Sequence, residues 1–85
     1  MAHDAQAIER AIFELLAARR PDATICPSEV ARRLASEAQE WRDLMQPVRE
    51  VAQALADEGR LSVIRGGVTV NALAGGGPIR LGRVR

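Results

Sequence analysis

Arg60-Leu61-Ser62-Val63-Ile64-Arg65-Gly66-Gly67-Val68-Thr69-Val70 is the stretch on which the fold turns. Two short runs rich in Val, Ile and Thr are separated by two glycines. That pattern reads as a β-hairpin closed by a tight two-residue turn, because glycine alone enters the positive-φ conformations such turns need without steric cost. Beyond it, Asn71 to Gly77 is a loop, and Gly75-Gly76-Gly77 is too flexible to form regular structure unaided. Pro78-Ile79-Arg80-Leu81 then reads as a last strand, with Ile79 and Leu81 on one face and Arg80 on the other.

On the N-terminal side of the hairpin the period is helical. Ile8, Ala11, Ile12, Leu15 and Leu16 follow the i, i+3, i+4, i+7, i+8 spacing of a one-sided helix. Asp4 is placed to cap it, Arg19 and Arg20 suit its negative end, and Pro21 stops it. Thr24-Ile25-Cys26 precedes a proline and reads as a very short strand. Ser28 is the expected cap of a second helix, which carries Val30, Ala31, Leu34 and Ala35 inward and Arg32 and Arg33 outward. Trp41, Leu44, Met45, Val48, Val51, Ala52 and Leu55 repeat the same spacing, and Trp41 is expected in the core with Leu44, Met45 and Val48. Pro47 interrupts this pattern at a cost of about 3 kcal/mol in a helix interior. The cheaper arrangement is a separate turn over residues 41–45 and a helix from Pro47 to Glu58, ended by Gly59.

Helix, short strand, helix, helix, strand, turn, strand is the order of a winged helix-turn-helix, in which a hairpin wing follows a helix pair. The expected fold is therefore α+β and mostly helical, with three helices plus a small β-hairpin wing in a single domain over residues 1–85. Its rival is a three-helix bundle with a disordered basic tail. Residues that support the first reading also carry a resemblance. Ile25-Cys26-Pro27-Ser28-Glu29-Val30-Ala31, Trp41-Arg42, Leu44-Met45, Val48-Arg49, Leu55-Ala56, Glu58-Gly59 and Gly77-Pro78-Ile79-Arg80-Leu81 resemble a family of short bacterial proteins, a domain of unknown function with a predicted winged-helix fold. The resemblance spans roughly residues 8–81 and implies the fold; it implies no activity, so no functional residue is carried over from it. The Ala- and Gly-rich stretch between the hairpin turn and the final strand departs from the more polar residues expected there.

Length and composition exclude several classes. The 85 residues are 47% hydrophobic, fifteen of them Ala, and the only aromatic residues are Phe13 and Trp41. Such a chain builds a small core of marginal stability. No run of about 18 apolar residues is present, so no membrane span is expected. Residues 1–20 carry charges throughout, so no secretory signal is expected either. The single cysteine, Cys26, fits a reducing, cytoplasmic setting. One Cys and one His, His3, fall short of the four ligands of a structural zinc site, and no metal or cofactor is expected. Nucleophile, base and orienting group do not occur together, and Gly75-Gly76-Gly77 lacks the Lys-Ser/Thr of a phosphate-binding loop, so the chain reads as non-enzymatic.

Charge is the informative feature. All twelve basic residues are Arg, a bias that GC-rich codons alone can produce. Residues 1–58 hold all eleven acids and seven Arg, a balance of −4, whereas residues 59–85 hold five Arg and no acid. A basic hairpin behind a helix pair points to double-stranded DNA. In that reading Arg32, Arg33, Arg65 and Arg80 contact phosphate, while Arg49 and Gln53, four apart on the third helix, present bidentate groups to purine edges. Against it, Trp41 to Glu58 has a balance of −2, and winged helices also serve as protein-interaction modules. An adaptor binding an acidic protein partner is the alternative.

Overall fold

Asp4 begins the first helix: its Oδ1 accepts the Ala7 amide at 2.8 Å. In the computed structural model, which describes residues 3–84, helix α1 spans Ala5–Ala17. Arg85, counted in the basic block, lies outside the described residues. The helix stops four residues before Pro21, and two arginines serve its last carbonyls. Arg19 donates to Leu15 O at 3.2 Å, and Arg83, from the far end of the chain, donates to Leu16 O at 2.7 Å.

Strand β1 is Thr24–Ile25, and helix α2 is Pro27–Leu34. Cys26, not Ser28, occupies the position before α2. Proline's fixed φ suits the first helical residue, so the helix starts at Pro27, and Glu29 reaches back to accept the Cys26 amide at 2.7 Å. Ser28 lies inside the helix and donates to Cys26 Sγ at 3.2 Å.

Helix α3 runs unbroken over Trp41–Asp57 with Pro47 inside it, so the expected division at Met45 is incorrect. Continuity brings Leu44, Val48, Ala52 and Leu55 into one buried stripe. Burying these side chains, at about 1.5–3 kcal/mol for each large one, outweighs the missing proline hydrogen bond. Trp41 and Met45 are half-buried at the edge of the core, whereas the sequence places them within it. At the other end, Gly59 takes φ +73°, its amide donates to Ala56 O, and Arg60 donates to Leu55 O at 2.9 Å. This is the glycine-ended helix that the sequence predicts.

The C-terminal third forms an antiparallel sheet. Strands β2 (Ser62–Arg65) and β3 (Val68–Thr69) flank Gly66 and Gly67, both at positive φ, and β4 is Arg80–Gly82. The order is β1-β4-β2-β3. Leu81 lies between Ile25 and Val63, and all three are buried. They face Ile8, Ile12 and Leu16 of α1, Val30 of α2 and Val48 of α3 in one hydrophobic core. The described residues are thus α+β and mostly helical, with three helices and a small four-stranded antiparallel sheet. Burial of Ala72, Ile79 and Leu81 rules out the disordered-tail alternative.

Candidate functional site

The six residues read as DNA contacts fall into different environments. Arg33 pairs with Glu14 at 2.9 Å, so its charge is compensated. Arg32 is exposed, and its guanidinium lies 4.4 Å from the centre of the Trp41 ring. Arg42, which the sequence reading passed over, lies 4.7 Å from the same ring. Two arginines therefore share one half-buried indole at the start of α3. The signal was present in the Trp41-Arg42 pair, but a tryptophan at core spacing reads first as packing.

Arg49 is half-buried on α3. Its Nε is shielded from solvent and has no hydrogen-bond partner among the described residues. A stem packed up to the Nε restricts the rotamer before any ligand arrives. Gln53, one turn later, is occupied. Its Oε1 accepts the Ala72 amide at 2.7 Å and its Nε2 donates to Asp57 at 2.8 Å. The side chain expected to read a base instead anchors the loop after β3 to α3.

Arg65 and Arg80 do not form one basic wing surface. Arg80 lies opposite Ile64 in the β2–β4 register, and Arg65 is the next residue along β2, so the two point to opposite faces of the sheet. Arg80 donates to Thr24 Oγ1 and Thr24 O, both at 2.9 Å, fastening β4 to β1. Arg65 donates to the carbonyls of Gly77 at 2.8 Å and Gly75 at 3.2 Å, with longer contacts to Ala74 and Pro78. All these acceptors are neutral, so both arginines keep their full charge.

The ion pairs made by arginine gather around α1. Arg19 meets Glu29, Arg33 meets Glu14, and Arg60 meets Glu9 and Glu58. Among the described residues, Arg10, Arg20, Arg32, Arg42, Arg49, Arg65, Arg80 and Arg83 have no carboxylate partner, so every arginine of α3 and of the strands is without one. At the N-terminal side of α3, Glu40 accepts from the Ser36 hydroxyl and amide, which hold its carboxyl below the ordinary range, and His3 lies 3.6 Å away. Among the described residues no three His, Cys, Asp or Glu side chains are placed to hold a metal ion. No helix among the described residues is long and apolar enough to cross a membrane.

A family model described as "Protein of unknown function (DUF3253)" matches residues 5–84. The chain belongs to this family. The match takes in every helix and strand of this DUF3253 chain, and with them all six residues discussed above. A search of the curated proteins finds no match.

Proposed function

We propose that the chain is a winged-helix module that binds double-stranded DNA, with α3 as the helix that enters the major groove and the segment from β2 to β4 as the wing. The element order α1-β1-α2-α3-β2-β3-β4 supports the fold assignment. The observation that carries the functional reading is the sorting of charge. Among the described residues Arg19, Arg33 and Arg60, beside α1, are paired with carboxylates although Arg10 and Arg20 are not, while every arginine of α3 and of the strands is either free or bonded only to neutral groups. An uncompensated cation is what a phosphate backbone rewards.

The roles differ from those suggested by spacing alone. Arg49, with its stem packed and its Nε unpaired among the described residues, is the base-reading residue. Arg32, Arg42 and Arg80 contact phosphate. Gln53 holds the wing loop in place, and Arg33 is neutralised by Glu14. Arg49→Ala should lower discrimination between duplex sequences by about 1–3 kcal/mol, whereas Arg80→Ala should weaken all sequences alike. Equal losses on every duplex for both variants would remove Arg49 from readout. The adaptor reading is favoured by Val68 and Leu73, which are 63% and 49% exposed. Their apolar surface, next to the wing arginine, suits an acidic protein partner, which a pull-down competed by polyglutamate would reveal.

A further inference from the structure

The arrangement around Arg65 has a chemical consequence on its outer side. The peptide groups here are trans, so the carbonyl of one residue and the N–H of the next point in opposite directions. Ala74 O and Gly75 O both point at the Arg65 guanidinium. The N–H groups of Gly75 and Gly76 must therefore point away from it. Both glycines are exposed, and neither amide has an acceptor among the described residues. Ala74, just before them, donates to Asn71 O at 3.1 Å, which closes the base of the loop.

We infer that the glycine loop of the wing is an anion site, in which the amides of Gly75 and Gly76 hold one phosphate oxygen group while Arg65 supplies positive charge from behind. Successive outward N–H groups in a turn form an anion-binding concavity. A cation bonded to the carbonyl ends of the same peptide groups polarises them further in the favourable direction. Gly76 must be glycine for this. It takes φ +121°, and a Cβ there would lie 3.2 Å from Arg65 Nη1. The surroundings suit an anion, since residues 59–85 hold no acid. The carboxylate linked to the loop by hydrogen bonds is Asp57, through Gln53 and Ala72. The site lacks the sequence signature of a nucleotide loop because it opens no helix and draws its cation from a neighbouring strand instead.

The inference rests on the DNA reading only for the source of the phosphate, which is the duplex backbone. The test is an amide NMR titration of the isotope-labelled chain, first with inorganic phosphate and then with a short mixed-sequence duplex. Saturable shifts of the Gly75 and Gly76 amides with both ligands, or with the duplex alone, support the site and its source. Shifts with inorganic phosphate alone support the anion site and assign it to free phosphate. If α3 amides move with duplex while the two glycines stay still under both ligands, the inference is overturned and the DNA reading stands. If nothing moves under either ligand, both fail. Arg65→Lys keeps a charge but cannot span the carbonyls, so it should weaken the glycine response about tenfold while the signals of Val63, Leu81 and Ile25 keep their positions. An unaltered glycine response in Arg65→Lys would also overturn the inference.

Discussion

Gln53→Ala separates a loop anchor from a base-reading residue. Gln53 accepts the Ala72 amide at 2.7 Å, and Ala72 is fully buried. Removing the acceptor leaves that N–H without a partner, at a cost of about 1–3 kcal/mol. The lost bond to Asp57 is an exposed i, i+4 pair and adds only about 0.2–0.5 kcal/mol. Taking the middle of these ranges gives about 2 kcal/mol. For a domain of this size that is a fall in Tm of about 8–16 °C. Gln53→Glu should lose far less, because its carboxylate still accepts from Ala72 and its added repulsion with Asp57 again amounts to about 0.2–0.5 kcal/mol. Thermal unfolding followed by circular dichroism measures both. A Gln53→Ala protein melting within about 2 °C of the parent would refute the reasoning, as would a Gln53→Glu protein as unstable as the alanine variant.

Three further outcomes are expected. Trp41→Ala removes a half-buried ring and frees the two guanidinia above it, so urea unfolding should report a loss of about 1–3 kcal/mol, short of the 3–5 kcal/mol of a fully buried aromatic. Pro47→Ala supplies an amide to the Asp43 carbonyl within a continuous helix and should raise stability by about 1–2 kcal/mol, after allowance for the freer unfolded chain; a lower Tm would contradict the helix described here. Glu40 has a lowered folded pKa, so its contribution is complete above its ordinary value of 4.5 and is lost as pH falls through the lower one. Glu40→Gln should consequently flatten the acid side of a Tm-against-pH curve and leave its neutral region parallel to the parent's.

What could be read from the sequence was what depends on neighbours along the chain. Asp4 as a cap, Gly59 as a helix end and Gly66-Gly67 as a turn all follow from backbone rules acting within a few residues. Where a local rule met a long-range one, the long-range one won: the stripe Leu44-Val48-Ala52-Leu55 carried the helix through Pro47. Cys26 as the residue before α2 was legible in Pro27 and Glu29, but a cysteine is not an expected cap. The pairing of β1 with β4 joins residues 24 and 82, and no pattern within either segment specifies it. The candidate site was legible as charge and not as geometry. Spacing marks Arg65, Arg80 and Gln53 as polar and outward, but it cannot tell a side chain that meets solvent from one that crosses to a carbonyl on another segment.

The central claim is that the uncompensated arginines meet a phosphate backbone, and the salt dependence of duplex binding tests it most directly. Fluorescence anisotropy with a labelled mixed-sequence duplex should give binding that weakens with added salt. With Arg32, Arg42 and Arg80 each neutralising one phosphate, the log–log slope should be about −2.7, and about −3.6 when the glycine loop and Arg65 hold a fourth. A chain that leaves the duplex unbound at concentrations on the order of tens of micromolar in low salt, where non-specific affinity alone should register, contradicts the account.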